Sequence, residues 1–332
     1  MIKTDIAIIG AGPIGLFAVF QAGMLKMKCH VIDTLEAIGG QCISLYPEKP
    51  IYDIPAHPNI LAKDLIEALE KQIEPFSPEF HLNQRVEHLS KQGDDFILET
   101  SNGNVISAKA VIIAAGAGAF GPNRPPLDRL EEFENKSIFY MVKRKEDMRG
   151  KKVMIAGGGD SAVDWALSLA EISDVTIVHR RDKFRCAPNS HDQLLSLAKE
   201  GKIKIATPYQ LEKLVGDDGV LTEVVLKDFE GNYKSFPTDI LLSFYGLAMD
   251  IGPIEHWGLD IHKKHLPVDS ITMETNISGV FAVGDICSYP GKLKLILTGF
   301  SECALACHAI YNLVFPGELL HFEYSTTKGI TA

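Results

Sequence analysis

Two glycine-rich segments constrain the fold of this chain more than any other feature. The first reads IAIIGAGPIGLF at 6–17, and its apolar pattern continues to residue 25. The second reads KVMIAGGGDSAV at 152–163, and its apolar pattern continues to residue 170. Each predicts a strand, a tight turn and a helix, the arrangement that sets a helix N-terminus against a pyrophosphate. We therefore expect an α/β fold with two Rossmann-like dinucleotide-binding domains.

The three glycines of the first segment have separate expected roles. Gly10 permits the sharp turn, and Gly12 lets the backbone approach a pyrophosphate. Gly15 lets the helix pack closely on the strand. In the second segment alanine, the next smallest residue, replaces the third glycine. The residues of this segment that we expect to contact the second nucleotide are Gly157, Gly159, Ser161 and Ala162.

The residue after the next apolar strand predicts which nucleotide each unit binds. This position is Asp33 in the first unit and Arg180 in the second, each 23 residues beyond the first glycine of its turn. A carboxylate accepts hydrogen bonds from an adenosine ribose, whereas guanidinium groups bind a 2′-phosphate through charge-assisted hydrogen bonds. We therefore expect FAD in the first unit and NADPH in the second. The candidate NADPH ligands in the run HRRDKFR are His179, Arg180, Arg181 and Arg185.

Two later segments indicate how the domains are arranged along the chain. Residues 109–116 are an apolar strand pattern that ends in small residues, and GVFAVGD at 279–285 is a short strand pattern that ends in Gly-Asp. The second resembles the motif that holds the FAD ribityl chain in flavoproteins with two dinucleotide-binding domains. We expect an FAD domain at 1–118 and 245–332, split around an NADPH domain at 119–244. Residues 123–152, rich in proline and charge, are expected to be a linker into the second unit.

Composition excludes several other classes of protein. The chain has 332 residues, 46% of them hydrophobic, which is enough for about two domains with their own cores. Its formal net charge of −10 argues against a nucleic acid or an anionic membrane as partner. No apolar stretch approaches the roughly 18 residues of a membrane span, and the N-terminus lacks the order of a signal peptide. We expect a cytoplasmic protein.

The cysteines argue against a dithiol relay. GGQC at 39–42 begins the pattern of the glutathione-reductase type, but the second cysteine position is Pro47. Thioredoxin reductases place a CxxC before the second glycine turn, where this chain reads YMVKRKEDM at 140–148. Because a dithiol is needed to pass electrons to thioredoxin, we expect no thioredoxin reduction. No two cysteines are spaced CxxC, and we expect no metal site. The six cysteines, of which the last two are expected on one helix face, are Cys29, Cys42, Cys186, Cys287, Cys303 and Cys307.

Along essentially its whole length the chain resembles the ferredoxin–NADP reductases of the thioredoxin-reductase-like type, without the redox CxxC. The motifs that carry the resemblance are GGQ at 39–41, LYPEK at 45–49, IYD at 51–53, GGGDSAVDWA at 157–166, HRRDKFR at 179–185, GPI at 252–254, WGLD at 257–260 and METNI at 273–277. The resemblance implies a homodimer whose C-terminal tail covers the flavin. The FAD ligands that it implies are Asp33, Gln41, Tyr46, Val86, Phe120, Asp285 and Thr326.

The resemblance also implies a reaction and a partner. Hydride passes from NADPH to FAD by positioning, with no dedicated acid or base, and single electrons pass on to ferredoxin or a similar small acidic carrier. Tyr46 and Tyr324 are expected to stack on the flavin, although relatives commonly have a histidine at the second position. A basic docking patch is expected at Lys143, Arg144, Lys145, Arg149, Lys151 and Lys152, for which an ordinary solvated surface is the alternative.

Two other functions remain open from the sequence. A flavin monooxygenase would share both nucleotide sites, and FENKSIF at 133–139 faintly resembles its linker signature. Asn135 and Phe139 replace the glycine and histidine of that signature. A sensor that binds FAD and NADPH without catalysis is the third possibility. Oxygen incorporation into a substrate would favour the monooxygenase, and failure of NADPH to reduce the flavin would favour the sensor.

Overall fold

The structure is a computed structural model that describes residues 1–320, except for the side chains at 119–120 and 247–248. The chain forms two compact units. The discontinuous unit comprises Met1–Phe120 and the chain from Met249 onward, and the inserted unit comprises Gly121–Ala248. The expected boundaries were 118/119 and 244/245.

The discontinuous unit begins with a strand, a glycine turn and a helix. The helix begins at Pro13, whose fixed φ suits the first turn of a helix. The elements up to residue 122 are β1 (Ile2–Ile9), α1 (Pro13–Met24), β2 (Cys29–Ile32), α2 (Gln41–Ser44), β3 (Pro50–Ile51), β4 (Ile60–Leu61), α3 (Ala62–Ile73), a 3₁₀ turn (Glu74–Phe76), β5 (Glu79–His81), β6 (Val86–Gln92), β7 (Asp95–Thr100), β8 (Val105–Ile113) and β9 (Ala119–Pro122).

The inserted unit repeats the strand, turn and helix pattern. Its elements, with the strand that leads out of it, are α4 (Leu130–Phe133), β10 (Ile138–Phe139), a 3₁₀ turn (Lys145–Met148), β11 (Lys152–Ala156), α5 (Asp160–Leu169), β12 (Asp174–Val178), α6 (Pro188–Lys199), β13 (Ile203–Ala206), β14 (Gln210–Asp217), β15 (Val220–Lys227), β16 (Tyr233–Pro237), β17 (Ile240–Ser243) and β18 (Leu247–Asp250). The discontinuous unit then continues with a 3₁₀ turn (Gly252–His256), β19 (Leu266–Pro267), β20 (Val280–Ala282), a 3₁₀ turn (Gly284–Ile286), β21 (Cys287–Ser288) and α7 (Ile296–Val314).

β1 lies inside the main sheet of the discontinuous unit. The strand order is β5-β2-β1-β8-β7-β6, and β20 pairs with the C-terminal part of β8. β1 pairs in parallel with β2 on one side and with β8 on the other. The connections from such neighbouring strands diverge and leave a crevice at their carboxyl ends. Gly10 and Asp33, which follow β1 and β2, lie at this edge of the sheet.

The inserted unit has a five-stranded parallel sheet in the order β10-β17-β11-β12-β13 and a separate antiparallel sheet β14-β15-β16. The expectation that 123–152 is only a linker was wrong, because β10 pairs with β17 and Phe133 and Ile138 are fully buried. A two-residue strand has no periodicity of its own and forms only by pairing, so composition did not indicate it.

The packing of α7 on α1 explains the last two cysteines. The Cys303 thiol donates to the Ile14 carbonyl at 3.3 Å, and the Cys307 thiol donates to the Ala18 carbonyl at 3.7 Å. Both side chains are fully buried. The expected single helix face is confirmed. Within residues 1–320, no helix combines the length and apolarity needed to cross a membrane.

Candidate cofactor sites

A cleft of about 440 Å³ opens at the carboxyl ends of β1 and β2 in the discontinuous unit. It brings together residues from distant parts of the chain, including most of the residues that the sequence predicted for FAD. Those that line it are Gly10, Gly12, Asp33, Gln41, Tyr46, Val86 and Asp285. Gly116, Trp257, Lys294 and Leu295 also line it and were not predicted.

The three glycines of the first turn differ in what surrounds them. A Cβ on Gly10, which has φ +112°, would lie 2.4 Å from the Ala114 oxygen, and a Cβ on Gly15 would lie 1.9 Å from the Gly10 oxygen. Gly12 is different, because the nearest atom to its Cβ position is 4.0 Å away. The space beside Gly12 faces the cleft at the start of α1. A pyrophosphate fits there, where backbone N–H groups of the helix are unpaired.

Asp33 is held by the backbone around the turn. Its Oδ2 accepts the Ala11 N–H at 2.6 Å, and its Oδ1 accepts the Leu35 N–H at 2.8 Å. A carboxylate has about four lone-pair sites, so both oxygens keep acceptor capacity toward the cleft. This arrangement fits the hydroxyls of a ribose.

The Gly39-Gly40 turn presents Gln41 and Tyr46 to the same cleft. The Gly39 N–H donates to the Ala11 carbonyl at 2.8 Å, which joins this turn to the first glycine turn. The Cys42 thiol donates to the Tyr46 hydroxyl at 3.9 Å. Burial raises the pKa of Tyr46, and the Cys42 thiol and Asp285 carboxylate raise it further, so the phenol stays neutral. A neutral aromatic ring in this position fits a stacking role against a flavin.

A buried carboxylate that the sequence analysis missed supports the Gly-Asp turn. The Gly284 N–H donates to Glu302 Oε2 at 2.7 Å, and the Tyr289 hydroxyl donates to Glu302 Oε1 at 2.7 Å. Lys292 forms an ion pair with the same carboxylate, and both of these side chains are almost fully buried. Glu302 therefore fixes the backbone beside Asp285. A lone acidic residue inside the apolar pattern of α7 was the signal in the sequence.

Four other residues were predicted to contact FAD. Gly15 packs beneath the turn and does not line the cleft. Phe120 belongs to β9, and its side chain is among those not described. Tyr324 and Thr326 lie outside the described residues.

In the glycine turn of the inserted unit, one of the three glycines has open space where a Cβ would stand. A Cβ on Gly157 would lie 2.7 Å from the Phe244 oxygen, and a Cβ on Gly158 would lie within 2.4 Å of the His179 ring. At Gly159 the nearest atom is the Arg185 oxygen, 3.9 Å away. The open position again immediately precedes a helix, α5, on which Ser161 is exposed and Ala162 is buried.

The basic run of the inserted unit lies next to this turn. The Arg185 N–H donates to the Gly158 carbonyl at 2.6 Å. Arg180, Arg181 and Arg185 are exposed, and within the described part of the chain no carboxylate lies within ion-pair distance of them. Burial lowers the pKa of His179, and these three guanidinium groups lower it further. The His179 ring is therefore neutral, and the free cations beside it fit a phosphate.

The end of β17 adds a polar atom to the same edge of the sheet. Ser243 Oγ is buried without a hydrogen-bond partner in the described structure. Ser243 pairs with Ala156, the last residue before the glycine turn. An unsatisfied buried hydroxyl at this edge is consistent with a ligand that supplies its partner.

None of the six cysteines is oxidised to a disulfide. Burial raises the pKa of every one of these thiols, to about 11 for Cys42 and to about 12 for Cys287. Thiols with raised pKa values are poor nucleophiles at neutral pH. The arrangement offers no reactive dithiol beside either nucleotide site.

The structural comparisons confirm the expected fold class. A thioredoxin reductase from Lactococcus lactis (FR conformation) has a TM-score of 0.81 and 27% identity, with 94% of this chain and 99% of that chain covered. The thioredoxin reductase of T. acidophilum has a TM-score of 0.82 at 23% identity over 94% of this chain and 99% of that chain, a likeness of fold.

Sequence comparison identifies the family. The model for pyridine nucleotide-disulphide oxidoreductases matches residues 4–306. The ferredoxin–NADP reductase of Paramagnetospirillum magneticum (strain ATCC 700264 / AMB-1) is 56% identical over 330 residues, 99% of this chain and 98% of that protein. That of Rickettsia akari (strain Hartford) is 56% identical over 329 residues, with the same coverage. The chain therefore belongs to the pyridine nucleotide-disulphide oxidoreductase family, among the ferredoxin–NADP reductases that share the thioredoxin-reductase fold.

Proposed function

We propose that this protein is an FAD-dependent ferredoxin–NADP reductase. The observation that carries the proposal is the contrast between two residues. Asp33 is held by backbone N–H groups at one glycine turn, whereas Arg180 at the other has no carboxylate within ion-pair distance among residues 1–320. The first arrangement suits FAD and the second suits NADPH. When bound, the flavin accepts a hydride from NADPH and supplies electrons one at a time to ferredoxin.

In the discontinuous unit, each candidate residue has a distinct role toward FAD. Gly12 and the start of α1 receive the pyrophosphate, and Asp33 accepts hydrogen bonds from the ribose. Gln41 and Tyr46 contact the flavin ring, and Val86 offers its backbone to the adenine. The resemblance assigns three further residues to FAD, Phe120, Asp285 and Thr326. Gly10 and Gly15 shape the turn.

In the inserted unit, the residues recognise NADPH by shape and charge. Gly157 and Gly159 form the turn that receives the pyrophosphate at the start of α5, where Ser161 and Ala162 follow. Arg180, Arg181 and Arg185 bind the 2′-phosphate, and the neutral His179 ring supports them. No acid or base is required, because both nucleotide sites act by positioning.

Nucleotide preference tests the proposal directly. Anaerobic stopped-flow mixing should show that NADPH reduces the bound flavin far faster than NADH. Arg180→Ala should weaken NADPH recognition by about 1.5–3 kcal/mol, the scale of a charge-assisted hydrogen bond, and leave NADH almost unaffected. Arg144→Ala, which removes an exposed arginine from a different basic run, is the matched control. Equal specificity constants for NADPH and NADH in the wild-type protein would contradict the assignment.

The electron acceptor separates the three candidate functions. A ferredoxin–NADP reductase should reduce ferredoxin with NADPH and should not incorporate oxygen into an organic substrate. Substrate-dependent oxygen incorporation would identify a flavin monooxygenase instead. A flavin that NADPH does not reduce would identify a sensor.

We further infer a cytoplasmic homodimer. Leu297, Leu305 and Leu313 are each about 40% exposed along α7, which gives this helix an apolar surface that a second copy could cover. Light scattering after size exclusion should give twice the chain mass, and a fluorescent fusion should fill the cytoplasm. A monomer at micromolar concentration, or a fusion confined to the envelope, would contradict the respective inference.

A further inference from the structure

A two-residue turn in the discontinuous unit has an unfavourable backbone for its sequence. His262 and His265 exchange backbone hydrogen bonds of 2.8 and 3.0 Å around Lys263 and Lys264. The φ angles of the two lysines are +49° and +63°, so both are left-handed. Such turns strongly prefer Asn-Gly, and residues kept in this region against preference concentrate at functional sites. The positive φ angles at Lys263 and Lys264 are unfavourable for lysine, and the turn places two exposed ammonium groups at its tip.

This turn borders the mouth of the candidate flavin cleft. Lys264 Nζ donates to the Met249 carbonyl at 2.5 Å, next to Asp250, which lines the cleft. Lys294 Nζ lies 2.8 Å from His265 Nε2 and also lines the cleft. The turn and the segment around Lys294 therefore form one surface beside the candidate flavin cleft.

The surface carries free positive charge. Lys263, Lys264 and Lys294 are exposed, and none of them has a carboxylate within ion-pair distance among residues 1–320. The two segments 261–265 and 293–295 contain no acidic residue, and the acids next to them in sequence or through a contact are Asp250, Asp260 and Asp269. The carboxylates of Asp250 and Asp269 accept the N–H groups of Gly252 and Ile271, whereas Asp260 is exposed. A local positive surface on a chain with net charge −10 attracts an acidic partner.

Exposed apolar side chains lie beside these charges along the same two segments. Ile261 is 38% exposed, Leu293 is 61% exposed and Leu295 is 40% exposed. An apolar centre with a charged rim is the usual composition of a protein–protein interface. The charges direct the encounter, and the leucines provide area that is buried on binding.

The basic run expected from the sequence fits this role less well. Arg149 forms two hydrogen bonds of 2.6 and 2.7 Å with Glu146, and Arg144 lies 3.9 Å from Asp147. Part of the positive charge of this basic run is therefore neutralised by neighbouring carboxylates. The run belongs to the inserted unit and lines none of the candidate flavin cleft.

We propose that the turn at 261–265 and the segment at 293–295 form the docking surface for a small acidic iron–sulfur protein. The proposal rests on the proposed function and specifies where its protein partner binds. Docking at the mouth of the cleft shortens the path for single electrons from the flavin to the cluster. The paired lysines raise the association rate by electrostatic steering.

The double variant Lys263→Asn/Lys264→Gly tests the proposal, and we expect it to fold as the wild type does. It installs the residues that the turn prefers, so the melting temperature should be equal to or above that of the wild type. With a [2Fe–2S] ferredoxin of net negative charge, the KM should rise about five- to thirtyfold at low ionic strength and less at high salt. NADPH-dependent reduction of a neutral quinone should be unchanged. Lys143→Asn/Lys151→Asn removes the same charge from the other run and should change the ferredoxin KM by less than about twofold.

Each other outcome overturns the proposal in an identifiable way. An unchanged ferredoxin KM in the turn variant excludes the surface while leaving the proposed function intact. An equal increase in both double variants indicates a general effect of net charge and excludes a local site. If NADPH reduces the wild-type flavin and no electrons reach ferredoxin, the proposed function fails and the docking surface fails with it.

Discussion

At the scale of single residues, Glu302 shows how a buried charge positions a backbone segment. Its carboxylate accepts hydrogen bonds from the Gly284 N–H and the Tyr289 hydroxyl, and it pairs with the buried ammonium of Lys292. A buried ion pair adds little to stability overall, but the loss of one partner leaves an uncompensated charge. The network is therefore sensitive to the removal of either member.

We predict that Glu302→Gln destabilises the protein although it preserves side-chain shape. The buried Lys292 ammonium would lose its counterion, and the free energy of unfolding should fall by about 3–5 kcal/mol. Urea denaturation followed by circular dichroism measures this change. The double variant Glu302→Gln/Lys292→Met should recover part of the loss, because it removes the orphaned charge. A single variant as stable as the wild type would contradict the prediction.

At the scale of secondary-structure elements, the contact between α1 and β1 depends on glycines with opposite constraints. Gly15 lies where a Cβ would overlap the Gly10 carbonyl, so it sets how closely the helix packs on the strand. Gly12 has φ −73° and ψ −178°, which any residue adopts, and open space where its Cβ would stand. Gly15 allows the close packing of helix on strand, whereas Gly12 leaves space for a ligand.

Alanine substitution should separate these two roles. Gly15→Ala should lower the free energy of unfolding of the FAD-free protein by about 1–3 kcal/mol, because the backbone must move apart. Gly12→Ala should change it by less than about 0.5 kcal/mol and weaken FAD binding at least about tenfold. Thermal unfolding of the FAD-free protein and fluorescence titration with FAD measure the two effects. The assignment of the cleft fails if Gly12→Ala binds FAD as the wild type does.

At the scale of the whole molecule, the thiols are structural. The described cysteines are buried or half-buried, and burial raises the pKa of all six. Cys42 lines the candidate flavin cleft, and its thiol donates a hydrogen bond to the Tyr46 hydroxyl. A dithiol relay at this cleft would need a second thiol beside Cys42.

We predict that Cys42→Ser keeps NADPH-dependent ferredoxin reduction, because no dithiol takes part in the transfer. Steady-state reduction of ferredoxin, with the flavin content measured in parallel, tests this. Cys186→Ser, which changes a half-buried thiol outside the cleft, is the matched control. Thioredoxin reduction should be absent at every salt concentration. A Cys42→Ser protein that retains its flavin and loses ferredoxin reduction would contradict the prediction.

Much of the fold and of the candidate sites was predictable, because the signals are local in the chain. The segment at 152–163 was predicted to begin with a strand, and β11 begins at its first residue; the two turns were predicted from their glycines. Asp33 and Arg180 were singled out because each follows its glycine turn at the same distance. β10 was missed because its two residues form a strand only by pairing with β17, about a hundred positions later.

The sequence by itself determined the two strand–turn–helix units and the charge that each offers a nucleotide. These depend on steric rules and side-chain chemistry within about 25 consecutive residues, which act before any distant contact forms. Only the tertiary structure decided that Glu302 fixes Gly284 and that the Lys263-Lys264 turn meets Lys294 beside the cleft. Such contacts join segments whose approach depends on how the whole core packs, and a one-dimensional pattern does not encode that geometry.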